Sequence, residues 1–304
     1  PAFRIDSRFM GTGGTFMAGI VFACIAPHGT MVVPPLSDDA GGAMQTRNAL
    51  LEVGRRCAAA RPDVIVVATP HGMRVDNTIC LAAGARGIGT LSYGGRSIDF
   101  NVPIDMDFTD LLAEKAQARG VPVALASYAG NRRDQSANPL EWGTLTPLWF
   151  LGFNYDMAGS ADPMAKEPGD QGPSIVVAAP SRLLPRQKMV EFGQAVADAA
   201  AASDKRVAFL ASCDWGHTHL ESGPYGYDPA AKEADGMVVQ ALKDNDPGRL
   251  IDLDDQLVRR AAMDGLWQTL MLAGVMKEAP LKGEFLSYEV PSYFGMMVAA
   301  YTPA

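Results

Sequence analysis

The sequence predicts an α/β protein: a single domain with a central, mostly parallel or mixed sheet that is flanked by helices on both faces. Apolar runs of strand length alternate with segments of helical spacing along most of the 304 residues. No break in composition divides the chain, and 48% hydrophobic against 20% charged residues is typical of a large globular core. We expect the domain to occupy residues 17–304, after an N-terminal extension or foreign residues at 1–16.

Strands are expected where short, β-prone apolar runs end in proline, glycine or polar residues. In chain order these runs are 19–26, 64–69, 79–83, 121–126, 174–179 and 207–212. Helices are expected where apolar residues recur three or four positions apart. In chain order these segments are 43–60, 107–119, 186–202, 230–243 and 256–276. Glycine and proline are frequent at about 84–106 and 156–173, which predicts loops or excursions there.

Charge and cysteine content restrict the class of partner. The chain has 34 acidic and 26 basic residues, a net charge of −8, which argues against binding to nucleic acid or anionic lipid. The four cysteines have no C-x-x-C spacing, so neither a cysteine metal site nor a disulfide framework is expected, and a reducing cytoplasm fits best. No apolar run approaches the roughly 18 residues of a membrane span. We therefore expect a small molecule or another protein as the partner.

A repeated tripeptide at two strand ends is the strongest functional signal. His28 and His71 each lie in a Pro-His-Gly sequence that directly follows an apolar strand. Ligands of open α/β sheets bind beyond the C-terminal ends of the strands, and a neutral imidazole is the commonest protein metal ligand. A single such histidine is more often a capped or core residue. Two copies at matching positions favour a shared metal site.

The other two histidines, His217 and His219, also follow a predicted strand. Two histidines and one carboxylate on one face commonly hold iron(II) with positions open for substrate and O2. Asp264 is the preferred third ligand because it lies in a predicted apolar helix at 261–276, where an unpaired charge is costly. Glu233 and Glu289 remain alternatives. A zinc site that uses His217 and His219 is a competing interpretation.

Three further segments carry a family resemblance. They are residues 141–148, the segment that contains His217 and the Gly-Pro-Tyr-Gly sequence at 223–226, and the tail at 287–296. Together with the two Pro-His-Gly motifs they resemble the class III extradiol ring-cleaving dioxygenases, over residues 17–301. The tail is similar to that of members related to aminophenol dioxygenases.

The resemblance implies a non-haem iron(II) enzyme that opens a catechol-type or 2-aminophenol-type ring with O2. It implies His28, His71 and Asp264 as iron ligands, although the family usually has glutamate at the third position. His217 matches the catalytic histidine, and His219 is a second candidate catalytic residue. The family also implies an oligomer, either of identical chains or with a second kind of subunit.

Aromatic and basic residues supply candidate substrate contacts. Tyr128, Trp142 and Tyr225 are candidates for lining a ring pocket, with ordinary packing as the alternative for each. Arg132 and Arg133 are candidates for a substrate carboxylate. Two other functions stay open at this point: a zinc-dependent hydrolase on the same scaffold, and a non-catalytic paralogue that supports a partner chain.

Overall fold

The computed structural model describes residues 18–153 and 172–304. The predicted extension at 1–16 and most of the predicted loop at 156–173 lie outside these residues. The described strands are β1 Gly19–Ala26, β2 Val64–Ala68, β3 Ile79–Ala82, β4 Arg86–Tyr93, β5 Arg96–Pro103, β6 Val123–Ala126, β7 Ala137–Pro139, β8 Ser174–Pro180, β9 Arg206–Ser212, β10 Leu281–Glu289 and β11 Met296–Pro303. The described α-helices are α1 Met44–Ala60, α2 Met106–Ala118, α3 Trp142–Phe150, α4 Arg186–Ala201, α5 Ala230–Lys243, α6 Asp255–Arg260 and α7 Leu266–Glu278.

Eight strands form one mixed sheet in the order β10-β11-β1-β9-β2-β8-β3-β6. The four central strands, β1, β9, β2 and β8, are parallel to their neighbours within that set. At one side β11 pairs antiparallel with β1, so the first and last described strands lie next to each other. At the other side β3 runs antiparallel to β8. The predicted α/β class with a central mixed sheet is confirmed.

Both faces of the sheet are covered, which explains why its central strands are continuous apolar runs rather than alternating ones. Ile65 and Val67 of β2 pack on one face with residues of α1 and α3. Val64 and Val66 pack on the opposite face with residues of α2, α4, α5 and α7. All four cysteines are buried and unpaired. Across the described ranges, no helix combines the length and apolar character that a bilayer-spanning segment requires.

The segment at 84–106, predicted as a loop or excursion, is an excursion with strands of its own, because β4 and β5 form an antiparallel hairpin that β7 extends to a three-stranded sheet. The glycines of this segment have specific structural roles. Gly94 and Gly95 both have positive φ, as a two-residue hairpin turn requires. A Cβ added to Gly89 would lie 2.3 Å from the Leu140 carbonyl oxygen, so glycine there permits close packing of the two backbones.

The prediction of one helix at 256–276 is wrong, because the segment contains two helices. α6 ends at Arg260 and α7 begins at Leu266. Between them Ala262 has a φ of 49°, in the left-handed region that interrupts a helix. Asp264 therefore lies in a turn rather than in a helix. Because the helix is interrupted there, the carbonyls of Ala261 and Ala262 and the Asp264 carboxylate face the end of β9.

Candidate metal centre

The register of three parallel strands determines which side chains meet at the edge of the sheet. The last paired residues of β1 and β2 lie level with the end of β9. His28 is two residues beyond the end of β1, and His71 is three residues beyond the end of β2. Counted along the register, both positions are level with Asp214, which follows β9. The sheet thus delivers two imidazoles and a carboxylate to one place.

His28, His71 and Asp264 converge on a common point. The Nε2 atoms of His28 and His71 are 3.1 Å apart. Asp264 Oδ2 lies 3.6 Å from His28 Nε2 and 3.5 Å from His71 Nε2. Within residues 18–153 and 172–304, these three side chains form the group whose ligand atoms all lie within 4.8 Å of one another. His28 and Asp264 are buried, and His71 is half-buried.

The chemistry of this group fits a divalent cation. Two imidazole nitrogens that face each other at 3.1 Å can share at most one proton, and a cation satisfies both lone pairs. Asp264 Oδ1 is buried and has no hydrogen-bond partner. Asp214 adds a second buried carboxylate, with Oδ2 3.2 Å from His28 Nε2. Two imidazole nitrogens and a carboxylate oxygen are a donor set that holds ferrous iron or zinc.

The negative charge of the site is visible in the pKa values of its groups. Burial lowers the pKa of His28, but Asp214, Asp264 and Glu141 together outweigh it and raise that pKa to about 9. Burial raises the pKa of Asp264, yet hydrogen bonds with His28 and His71 hold it well below its usual value. Burial and the neighbouring Asp264 raise the pKa of Asp214. The cluster therefore attracts positive charge.

The orientation of the His28 ring is set by hydrogen bonds on its far side. Nδ1 lies 3.0 Å from Ser212 Oγ, whose hydroxyl donates to the Gly143 carbonyl. Because that hydroxyl hydrogen is already used, Nδ1 carries the proton and donates it, which leaves the Nε2 lone pair for a ligand. The backbone N–H of His28 donates to Asp214 Oδ1 at 3.1 Å.

The segment at 141–148 supports His71. Glu141 caps α3, and its carboxylate accepts hydrogen bonds from Thr144 Oγ1 at 2.6 Å and from Thr69 Oγ1 at 2.8 Å. The Trp142 ring packs on the His71 ring with 4.4 Å between centroids. A Cβ on Gly143 would lie 3.0 Å from His71 Cδ2, so a small residue is needed there. These contacts hold the start of α3 against the end of β2, which is followed by His71.

His217 faces the same cleft from the segment after β9. Its Nδ1 donates to the Ala262 carbonyl at 2.9 Å, and its backbone N–H donates to the Ala261 carbonyl at 2.7 Å. The ring stacks on Phe294 with 5.5 Å between centroids and an interplanar angle of 19°. The described residues offer Nε2 no hydrogen bond, so the Nε2 lone pair is free to accept a proton.

The cleft lined by His28, His71 and His217 has a volume of about 430 Å³ and several aromatic residues in its walls. Its aromatic lining comprises Tyr93, Trp142, Tyr225, Tyr293 and Phe294. Trp142 and Tyr225 were predicted substrate contacts, whereas Tyr93, Tyr293 and Phe294 were not singled out. Tyr128, the third predicted contact, is not part of this lining. It follows the edge strand β6, and 57% of its surface is exposed.

Residues 22–301 match the family model described as the catalytic LigB subunit of aromatic ring-opening dioxygenase. The chain belongs to this family. The predicted relationship to the extradiol dioxygenases is thereby confirmed. The match begins within β1, ends within β11 and includes all four histidines.

Two further comparisons give relatives of this LigB-family chain. Protein CA_C1420 of Clostridium acetobutylicum is 25% identical over 267 residues, which are 87% of this chain and 54% of that protein. The chain therefore spans about half the length of this relative. The crystal structure of the uncharacterized protein JW3007 from Escherichia coli K12 aligns with a TM-score of 0.56 at 16% identity. The alignment covers 92% of this chain and 99% of that one, which shows a shared fold.

His219 lies apart from the cleft lining of this LigB-family site. Its Nε2 is 2.9 Å from Asp235 Oδ2. Asp235 is fully buried and also accepts hydrogen bonds from Tyr288 Oη at 2.8 Å and from the Gly216 backbone at 2.9 Å. His219 and Asp235 thus anchor the segment that carries His217.

Glu289 and Glu233, the alternatives to Asp264 as third ligand, lie away from the two histidines. Glu289 accepts hydrogen bonds from the backbone and the hydroxyl of Thr46, at 2.6 Å and 2.7 Å, near the start of α1. Glu233 is exposed on α5. Of the three candidate carboxylates, Asp264 is the one placed against the histidines.

Replacing Ser212 with alanine is expected to weaken metal binding by about 10- to 100-fold, because His28 then loses the partner that fixes its proton on Nδ1. Metal affinity is measured by competition with a chromophoric chelator. Ser203→Ala is the matched control, since that hydroxyl bonds the Ala200 carbonyl and the Lys205 backbone N–H beyond the end of α4 and should leave the affinity unchanged. An unchanged affinity in Ser212→Ala would mean that the backbone bond to Asp214 alone orients His28.

Proposed function

We propose that the protein is a non-haem iron(II) dioxygenase that performs extradiol cleavage of a catechol-type or 2-aminophenol-type ring. The observation that carries this proposal is the convergence of two imidazoles and one carboxylate beneath an aromatic-walled cleft that a third imidazole enters. Membership of a family of aromatic ring-opening dioxygenases supports the same reaction.

His28, His71 and Asp264 are the proposed iron ligands. Iron held by two histidines and one carboxylate supplies a Lewis acid and a route for electrons between the aromatic ring and O2. Ser212 and the capped start of α3 hold the two imidazoles ready for this ion. Trp142, which packs on His71, places an aromatic wall beside the ligands.

His217 is the proposed acid and base of the reaction. The Ala262 carbonyl binds the Nδ1 proton of His217, so Nε2 presents its lone pair to the cleft. In this position Nε2 takes the proton of a substrate hydroxyl and returns it later in the reaction. Stacking on Phe294 keeps the ring from rotating away. The aromatic walls orient the substrate ring and exclude water from the reacting atoms.

The test is anaerobic reconstitution with ferrous iron or with zinc, followed by oxygen-uptake measurements with a panel of catechols and 2-aminophenols. The expected result is iron-dependent O2 consumption, with a yellow ring-opened product that contains both atoms of labelled O2. Ester or amide hydrolysis by the zinc form, without O2 consumption by the iron form, would contradict the proposal and support the hydrolase. Turnover that appears only after a second chain is added would support the non-catalytic subunit.

A further inference from the structure

Asp235 is a buried carboxylate that joins three separate parts of the chain behind the candidate site. It lies on α5, and none of its surface is exposed. Its Oδ1 accepts a hydrogen bond from the Gly216 backbone N–H at 2.9 Å. Its Oδ2 lies 2.9 Å from His219 Nε2 and accepts a hydrogen bond from Tyr288 Oη at 2.8 Å. One side chain thus connects a helix, the segment after β9 and strand β10.

Two glycines let this carboxylate approach the backbone closely. A Cβ added to Gly295 would lie 2.2 Å from Asp235 Oδ2, and one added to Gly216 would lie 3.0 Å from Oδ1. The two glycines also bind each other, because the Gly295 N–H donates to the Gly216 carbonyl at 3.0 Å. Asp235 therefore packs at the point where the segment after β9 meets the segment before β11.

These two segments carry His217 and the ring on which it stacks. His217 directly follows Gly216, and Phe294 directly precedes Gly295. The His217 and Phe294 rings lie 5.5 Å apart between centroids, with an interplanar angle of 19°. The orientation of His217 in the cleft therefore depends on how the two segments are held together, and Asp235 contacts both.

The cost of burying a charge argues for a role beyond packing. Replacing a buried charged group with well-packed apolar residues is often neutral or stabilising, so stability alone does not require a carboxylate here. Hydrogen bonds to a carboxylate are strong and directional, and they fix the positions of their donors. Burial and the neighbouring Asp235 raise the pKa of Tyr288, so its phenol stays protonated and donates.

We propose that Asp235 is a positioning residue that holds the His217 ring on Phe294 with Nε2 directed into the cleft. This role rests on the proposed function, in which His217 Nε2 accepts a substrate proton and returns it. Asp235 acts only through His217 and touches neither the metal nor the substrate. Because proton transfer needs a donor and an acceptor at hydrogen-bond distance, displacing the ring slows the reaction without preventing substrate binding.

The first test is Asp235→Asn, which keeps the size of the side chain and an oxygen for the Gly216 N–H. Its amide N–H groups would face the donors of Tyr288 and His219. We expect kcat for O2 uptake to fall about 10- to 100-fold, as for a reacting group displaced by about 1 Å. Metal content should match that of the wild type, and so should affinity for catechol and 2-aminophenol titrated without O2.

Asp105→Asn is the matched control, because only 9% of the Asp105 side chain is exposed and its carboxylate also has three donors. They are the Phe108 N–H, the Ser174 hydroxyl and Lys205 Nζ, at the opposite edge of the sheet. This variant should lower the unfolding temperature and leave kcat unchanged. An equal loss of kcat in both variants would attribute the loss to stability and overturn the proposal.

A double variant tests whether Asp235 acts through His217. In His217→Asn the proton-accepting Nε2 is already absent, so adding Asp235→Asn should lower kcat no further. A second loss as large as that in the wild-type background would overturn the proposal.

Nuclear magnetic resonance of the zinc-loaded protein reports the position of His217 without turnover. The chain has four histidines, and the Cε1–H resonance that disappears in His217→Asn belongs to His217. Stacking on Phe294 shifts this resonance by ring current, so Asp235→Asn should move it toward that of an unstacked imidazole. An unmoved resonance would overturn the proposal. A moved resonance in a protein whose wild type consumes no O2 would contradict the proposed function and leave the positioning of the ring by Asp235 standing.

Tyr288→Phe is the second variant, for use if Asp235→Asn does not fold. It keeps the aromatic ring and removes one of the three donors to Asp235. The His217 resonance should move in the same direction by a smaller amount, with a smaller loss of kcat. An unmoved resonance together with unchanged kcat in this folded variant would contradict the proposal.

Discussion

Replacing His28 or His71 with alanine is expected to remove the bound metal ion. Each imidazole supplies one of the three ligand atoms that lie within 4.8 Å of one another. Loss of residues that merely orient ligands costs about 10- to 100-fold in metal affinity, so loss of a ligand should cost more than about 100-fold. Asp264→Ala should weaken binding in the same way and also remove the buried, unpartnered Oδ1.

Metal content per chain after dialysis against a metal buffer measures this effect, and thermal unfolding supplies a second readout. Because the ion binds the folded state, adding it should raise the unfolding temperature of the wild type and leave that of the ligand variants unchanged. Circular dichroism establishes that each variant is folded.

Glu289→Gln and Glu233→Gln are the controls for the third ligand. Glu289 accepts hydrogen bonds from Thr46, and Glu233 is exposed. Both variants should therefore bind metal as the wild type does. Full metal content in Asp264→Ala, together with loss in either glutamine variant, would transfer the ligand role to that glutamate.

Replacing His217 with phenylalanine or asparagine is expected to lower kcat by about 10²- to 10⁴-fold, the usual contribution of a general acid or base. Metal content and substrate affinity should be retained. Asparagine is the sharper variant because its amide N–H replaces Nδ1 as the donor to the Ala262 carbonyl. It thereby preserves the turn that carries Asp264 and removes only the proton-accepting Nε2.

Oxygen-uptake kinetics and metal analysis of the same preparations test this prediction. His219→Ala is the comparison, because His219 binds Asp235 rather than lining the cleft. It should lower the unfolding temperature and change kcat by only a few fold. Loss of iron from His217→Asn would show that His217 is a ligand. A larger loss of kcat in His219→Ala than in His217→Asn would reverse the two assignments.

The sequence predicted the central sheet well because its signals are local. Buried parallel strands are continuous apolar runs, so β1 and β2 could be recognised from their own residues. The hairpin of β4 and β5 was missed because its glycines resemble loop residues. Gly89 is required by the backbone of Leu140, a neighbour that is distant in sequence. The β5 run of Ile98, Phe100 and Val102 was the alternating signal that would have revealed the strand.

The residues of the candidate site also differ in how far the sequence alone could predict them. His28 and His71 were recognised because each follows its strand in a Pro-His-Gly tripeptide. Asp264 was chosen for its apolar neighbours, but its position in a turn depends on the left-handed backbone at Ala262. Tyr293 and Phe294 lay within the recognised tail at 287–296, and their place in the cleft wall was not evident from it.

The sequence by itself determined the family, the α/β class and the two strand-end imidazoles, because each is encoded by residues adjacent in the chain. Only the tertiary structure decided that Asp214 lies beside His28, 186 positions away, and that Asp264 faces both histidines. It likewise placed Asp235 beside Gly216 and Tyr288. These contacts follow from strand register and helix packing, which sum many weak interactions across the whole core and leave no pattern at the residues they bring together.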